Sequence, residues 1–149
     1  MSEVLFYHLQ QTSLEQVLPS LLERSLERGW KAVVRVGNPE RIEPLCASLW
    51  TYRDDSFLPH GTSEDGPLSA QTIALTADEE NPNEADVLFL VDGAVVSDLE
   101  SYQRCVLLFD GRNDDALTAA RAHWKDLTAT DHDITYWQQN EGGGWEKKA

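Results

Sequence analysis

The sequence predicts an α/β domain: a single doubly wound, mostly parallel sheet with helices on both faces. Short apolar runs recur along the whole chain of 149 residues. These runs are continuous rather than alternating in polarity, which is typical of strands buried on both faces. Segments with apolar residues at helical spacing separate several of them, so strands and helices alternate. A chain of this length with evenly spread apolar runs is expected to fold around one core.

The first three elements are predicted to be a strand, a helix and a strand. Val4 to Leu9 is a short, mostly apolar run that predicts a strand near the middle of the sheet. The helical spacing that starts at Leu14 ends at Gly29, a typical helix stop. Because Pro19 cannot donate the backbone bond of a helix interior, this helix either starts near Pro19 or kinks there. Lys31 to Val36 predicts the second strand.

The middle of the chain predicts one further helix and a weaker strand. Asn38 and Pro39 supply an N-cap and a first-turn proline for a helix that continues through Trp50. Thr72 to Leu75 predicts a short strand. The acidic, turn-rich segment from Thr76 to Ala85 predicts a solvated connection.

The strongest predictions of central strands lie in the second half of the chain. They are Val87 to Val91 and Val106 to Phe109, and a short helical piece is expected between them at Asp98 to Gln103.

The C-terminal part predicts one helix, one strand and a tail. Asn113 caps a helix from about Asp114 to Thr128, and Ile134 to Trp137 predicts the last strand. We therefore expect an α/β domain over residues 1–139 and a flexible, glycine-rich tail over residues 140–149.

The chain is strongly acidic. It has 26 Asp and Glu residues against 12 Lys and Arg residues, and its formal net charge is -14. This charge repels phosphate backbones, so direct binding of nucleic acid, including single-stranded DNA, is disfavoured.

The composition also indicates the compartment. Cys46 and Cys105 lie among apolar neighbours, which is typical of small buried side chains in a reducing environment. Residues 1–10 do not resemble a signal peptide, and no apolar run approaches the length of a membrane span. We expect a soluble, cytoplasmic protein that contacts no membrane.

The sequence lacks the common motifs of enzymes. Dinucleotide binding in this fold needs glycines after the first strand, where the chain reads HLQQTSLEQ, without a glycine. A phosphate-binding loop and a Gly-x-Ser-x-Gly elbow are also missing. The histidines show no metal-ligand spacing; His8 is expected in a core strand and His60 in a structural loop. We predict no cofactor, no metal and no catalytic residue. The alternative is an enzyme that binds a small, nucleotide-type ligand in the crevice at the carboxyl ends of the strands.

The predicted C-terminal helix carries a local group of cations in this acidic chain. Arg121 and Lys125 are four residues apart, and Trp124 follows Arg121 by three, so one stripe presents two cations beside an indole. Such a stripe suits an acidic, partly apolar peptide. Equally, Trp124 could continue the buried face of the helix with Leu117 and Ala120, which would leave the charges as ordinary surface.

A series of short motifs resembles the chi subunit family of the bacterial DNA polymerase III holoenzyme. The resemblance covers nearly the whole chain, and LW followed by SFLPH is its most specific part. The motifs are FYHL at residues 6–9, LW at 49–50, DSFLPH at 55–60, DVLFLVDG at 86–93, ARAHWK at 120–125 and YWQQ at 136–139.

The resemblance implies a non-catalytic accessory of the clamp-loader assembly. Members of the family bind the acidic C-terminal tail of single-stranded DNA-binding protein, and many pair with a small psi subunit that links them to the clamp loader. The resemblance implies that the tail's terminal phenylalanine and carboxylate bind at Trp50, Phe57, Arg121 and Trp124, with Lys125 as an auxiliary cation. Some members carry a further lysine where this chain has Leu117, so the docking patch is expected to be less basic.

Overall fold

The computed structural model describes residues 3–10, 14–51, 60–61, 72–77, 84–91, 102–129, 133–142 and 144–148. Strands and helices alternate over residues 3–61 and 104–139, as the sequence predicts, whereas the strands within residues 60–110 follow one another with no helix among the described residues between them. In chain order the elements are β1 (Glu3–Leu9), α1 (Leu14–Glu27), β2 (Ala32–Val36), a 3₁₀ turn (Pro39–Arg41), α2 (Ile42–Thr51), β3 (His60–Gly61), β4 (Ile73–Thr76), β5 (Val87–Val91), β6 (Arg104–Asp110), α3 (Asp114–Thr128), β7 (Asp133–Gln139) and β8 (Trp145–Lys147).

The described strands form one sheet in the order β3-β4-β2-β5-β6-β1-β7-β8. Every neighbouring pair from β3 to β7 is parallel. Only β8 runs antiparallel, against β7. The predicted single, mostly parallel sheet is confirmed. As predicted, β1 lies inside the sheet, between β6 and β7.

Each face of the sheet has its own hydrophobic core. Successive residues of a strand point to opposite faces, so Val34 of β2 belongs to the first core cluster and Val33 to the second. The first cluster contains Leu18 and Leu22 of α1 and also residues of α2. The second contains Ala120 of α3. Helices therefore cover both faces, as expected of a doubly wound sheet.

The sequence allowed two arrangements of helix α1, a start near Pro19 or a kink at Pro19, and the structure excludes the first. The helix starts at Leu14 and continues through Pro19, so the start near Pro19 was wrong. Its end follows the prediction: Gly29 has a φ of +78°. The amide of Gly29 donates to the carbonyl of Leu26 at 2.9 Å, and the amide of Trp30 donates to that of Ser25 at 3.1 Å. These two bonds form a Schellman motif, which satisfies carbonyls at the helix end.

The two predicted N-caps are confirmed. The side chain of Asn38 accepts from the amide of Glu40 at 3.0 Å, and Pro39 opens the turn that leads into α2. The side chain of Asn113 accepts from the amide of Ala116 at 3.0 Å, and α3 has the predicted bounds. Both cysteines are buried as thiols, as expected.

The segment before β6 differs from its prediction. Of the helical piece expected at Asp98 to Gln103, residues 98–101 lie outside the described residues, and residues 102–103 are not helical. Strand β6 is also longer than predicted, because it includes Arg104, Cys105 and Asp110.

Two strands were missed by the sequence reasoning. Strand β3 has only two residues, and it pairs with β4 at the edge of the sheet. Strand β8 lies within the segment expected to be a flexible tail, and it pairs with β7. The turn between β7 and β8 is closed by Asn140, whose side-chain oxygen accepts from the amides of Gly142 and Gly144. No helix in the described ranges is both long and apolar enough to span a membrane.

Candidate partner-binding site on helix α3

Helix α3 lies on the second face of the sheet and packs by one stripe. Ala120 is buried in the second core cluster. Four further side chains of this stripe are partly buried against the same cluster: Ala116, Leu117, Trp124 and Leu127. Their spacing of three and four residues is that of one helix face. Leu117, which stands where the resemblance allows a lysine, therefore serves core packing in this chain.

Trp124 is held in place by two aromatic residues of the sheet. Its ring meets Phe6 edge-on, with centroids 5.3 Å apart, and meets Tyr136 in the same way at 5.6 Å. Phe6 and Tyr136 stack on each other at 6.2 Å. Edge-to-face contacts of this kind favour one ring orientation. Because Trp124 remains partly exposed, it presents a fixed apolar surface beside the solvent.

Arg121 and Lys125 are exposed on α3, one turn apart, and flank this indole. Arg121 is close enough to the sheet to influence the buried His8 and the partly buried Tyr136. Burial lowers the pKa of His8, and the positive charge of Arg121 lowers it further, whereas Asp110 acts in the opposite direction. Burial raises the pKa of Tyr136, and Arg121 opposes that rise. An incoming carboxylate would therefore meet a positive field beside Trp124.

The cationic region of α3 is small. Asp114 and Asp115 lie in the first turn of the helix, and Asp126 is exposed next to Lys125. The nearby Arg112 is engaged by Asp110, with its Nε 2.9 Å from the carboxylate oxygen. The site therefore suits a ligand with few, well-placed negative charges rather than a long polyanion.

His8 fills the space between the carboxyl ends of β1 and β6. As predicted it is buried in a core strand and hydrogen-bonded: its Nδ1 lies 2.6 Å from the hydroxyl of Tyr136. Its Nε2 is buried without a hydrogen-bond partner and faces Gly111, where an added Cβ would fall 1.7 Å from it. His8 therefore contacts both Tyr136 and Gly111 near the carboxyl ends of β1 and β6. An α/β sheet can form a ligand-binding crevice at this position.

The residues expected from the resemblance do not all lie on α3. Arg121, Trp124 and Lys125 are brought together there. Trp50 lies in α2, whose Leu45, Cys46 and Leu49 belong to the first core cluster, on the opposite face of the sheet. Phe57 lies outside the described residues. The described part of the chain therefore contains three of the five expected residues as one group.

Sequence reasoning missed the support for Trp124. The sequence predicted the strands that contain Phe6 and Tyr136 but not their contact with Trp124, although these two residues are paired in the register of β1 and β7. The signal that was available is alternation, since Ile134 and Tyr136 point to the same face of β7 and both join the second cluster. Among the described residues, no group of three or more His, Cys, Asp or Glu side chains is arranged to hold a metal ion.

The chain is similar to known proteins of one family. A family model described as "DNA polymerase III chi subunit, HolC" matches residues 1–135. The chain is also similar to a protein of Rickettsia prowazekii (strain Madrid E) named "Probable DNA polymerase III subunit chi". The two are 25% identical over 156 residues, which covers 100% of this chain and 93% of the relative. The family match includes all of α3, and therefore Arg121, Trp124 and Lys125.

Proposed function

Because this chain belongs to the DNA polymerase III chi subunit family, we propose that it connects single-stranded DNA-binding protein to the clamp loader of the replicating polymerase. The family consists of non-catalytic accessory subunits of DNA polymerase III. A connecting role requires a surface that recognises one partner while the rest of the molecule contacts another. The surface on α3 is our candidate for the first of these contacts.

The proposed ligand of α3 is the acidic C-terminal tail of single-stranded DNA-binding protein. Arg121 would receive the terminal carboxylate, since a guanidinium offers paired donors to a carboxylate. Lys125, one turn further, would attract the acidic residues that precede it. The partly exposed ring of Trp124 would provide the apolar contact for the terminal phenylalanine. The observation that carries this proposal is the pair of exposed cations beside an indole fixed by Phe6 and Tyr136.

Trp50 and Phe57 enter the proposal through the resemblance alone. Since α2 packs on the face opposite to α3, we propose that Trp50 contacts a different part of the bound partner from that held by Arg121. Substituting Trp50 should therefore weaken binding without changing the dependence on the terminal phenylalanine.

Titration with a peptide of the tail tests the proposed contact on α3. The peptide should bind, and removal of its terminal phenylalanine should abolish measurable binding. Arg121→Ala should weaken binding by about tenfold or more, because a charge-assisted hydrogen bond is lost. Arg112→Ala is the matched control, since it removes the same charge from an exposed residue that precedes α3. Equal loss in both variants would contradict the assignment of Arg121.

The other partners and the location of the protein are also proposed from the family. We place the protein in the cytoplasm, in the DNA polymerase III complex, with the clamp loader reached either directly or through a psi subunit. Co-purification of the chain with each subunit separately would distinguish these two routes.

The competing function, an enzyme with a small nucleotide-type ligand, predicts that nucleotides or divalent metals raise the melting temperature of the isolated protein. A clear rise with either would favour it over the proposed connecting role.

A further inference from the structure

The two faces of strand β7 differ in their packing among the described residues. β7 contributes no described residue to the first core cluster, whereas Ile134 and Tyr136 on its other side pack against the second. Paired residues of neighbouring strands point to the same face. The register therefore places Tyr7, Trp137 and Lys147 in one row across β1, β7 and β8 on the first face.

Three aromatic side chains lie in this region of the first face, and each is partly exposed. The ring of Trp145 reaches across β7 to meet Tyr7 edge-on, with centroids 4.9 Å apart. Trp137 donates from its indole nitrogen to the hydroxyl of Thr135 at 3.2 Å. Unlike Tyr7 and Trp145, Trp137 is not among the described residues packed against a core cluster. We call the surface formed by Tyr7, Trp137 and Trp145 the aromatic face.

The aromatic face is bordered by cations in a chain whose net charge is -14. Burial raises the pKa of Tyr7, while the positive charges of Arg104 and Arg24 act against that rise and Glu3 adds to it. Glu3 is already engaged, since its carboxylate lies 2.6 Å from the Nε of Arg104. Arg24 and Lys147 are exposed. Arg24 and Lys147 thus add two cations beside the aromatic face, and the exposed Asp133, which shares this face of β7 with Trp137, is a carboxylate paired with Glu3 in the register of β1 and β7.

We propose that the aromatic face binds an internal acidic segment of a partner protein, in which carboxylates alternate with large apolar side chains. The apolar side chains would pack on Trp137 and Trp145, and the carboxylates would pair with Arg24 and Lys147. A short peptide suits this surface better than single-stranded DNA does. The few cations match a few carboxylates, whereas a long polyanion would also meet the repulsion of the whole acidic chain.

This proposal is independent of the one made for α3. The aromatic face and α3 lie on opposite faces of the sheet. An internal segment also has no terminal carboxylate, which is the group assigned to Arg121. The two sites can therefore be occupied, and disabled, separately.

The five tryptophans of the chain allow both sites to be observed at once by NMR of the indole N–H groups. The probe for the aromatic face is a short peptide of alternating aspartate and leucine, blocked at both ends. It should shift the indole signals of Trp137 and Trp145 and leave that of Trp124 unchanged. The same peptide with asparagine in place of aspartate should cause no shift. The tail peptide proposed for α3 should instead shift the signal of Trp124.

Two adjacent lysines provide a matched pair of variants. Lys147 points to the aromatic face, whereas Lys148 pairs with Glu146 at 3.1 Å, and Glu146 points to the other face because it neighbours Lys147 in β8. Lys147→Glu should weaken binding of the alternating peptide by about fivefold or more, and Lys148→Glu should leave it unchanged. Equal effects of the two variants, or no shift of Trp137 and Trp145 with any peptide, would overturn the proposal. Shifts caused only by oligothymidine would assign the aromatic face to single-stranded DNA instead.

Discussion

Gly111 is a described glycine at which the structure leaves no room for a side chain. A Cβ at this position would fall 1.7 Å from Nε2 and 2.1 Å from Cδ2 of His8. The imidazole has no room to withdraw, because it is buried and its Nδ1 is engaged by Tyr136. Gly111→Ala should therefore lower the free energy of unfolding by about 2 to 3 kcal/mol, measured by urea denaturation. Gly142→Ala is the control, since its Cβ would meet nothing closer than 3.5 Å.

His8 should make the stability of the protein depend on pH. Its native pKa lies below the ordinary value of 6.5, first because of burial and then because of Arg121. As the pH falls below about 6.5, the unfolded chain takes up a proton at this position before the native protein does, so stability decreases. His8→Gln should remove part of this decrease. Urea denaturation of both proteins between pH 7.5 and pH 5 measures it; parallel curves for the two would contradict the assignment.

Residue patterns predicted the cations of the candidate site better than its aromatic support. Arg121, Trp124 and Lys125 lie on one helix, so their proximity follows from helical spacing alone. Phe6 and Tyr136 reach Trp124 from two strands that are 130 residues apart in sequence, and such proximity depends on strand order. The predicted proximity of Trp50 to Arg121 also depended on the arrangement of elements around the sheet. The structure places α2, which contains Trp50, on the face opposite to α3.

At the scale of elements, helix ends were predicted because their signals are local. Asn113 and Gly29 act through hydrogen bonds within a few residues, and both lie where the sequence placed them. Strands β3 and β8 were missed because neither contains an apolar run. Both strands are short, and they are defined by their pairing with β4 and β7 rather than by a run of apolar residues.

The end of helix α1 gives a prediction at this scale. Gly29 has a φ of +78°, and a Cβ at this position would have no heavy atom within 4 Å. The only penalty for Gly29→Ala is therefore that of the left-handed backbone, about 1 kcal/mol. Gly29→Asn should cost less, since asparagine tolerates this conformation better. Urea denaturation would compare the three proteins. A loss as large for Gly29→Asn as for Gly29→Ala would show that backbone conformation does not set the cost.

At the scale of the whole molecule, the fold separates the two proposed binding surfaces, and the net charge affects how acidic ligands approach them. The sheet separates the α3 surface from the aromatic face, and both surfaces place cations beside tryptophan in an otherwise acidic chain. The net charge of -14 repels an acidic ligand from most of the molecule. We therefore expect an acidic ligand to favour surfaces on which local cations offset part of that repulsion, as on these two proposed sites.

This arrangement predicts opposite effects of salt on stability and on binding. Raising the ionic strength from about 10 mM to about 150 mM shortens the Debye length from ~30 Å to ~8 Å. The repulsion among the 26 acidic residues is then screened, so the melting temperature should rise. Over the same range, the affinity for the acidic tail peptide should fall, because the attraction of Arg121 and Lys125 is screened as well. Calorimetry and peptide titration in the same buffers measure the two effects. Arg121→Glu replaces one positive charge by one negative charge and should enlarge the rise in melting temperature while reducing the fall in affinity with salt. A melting temperature that falls with salt would mean that the surface ion pairs, such as Arg104 with Glu3, outweigh the repulsion of the net charge.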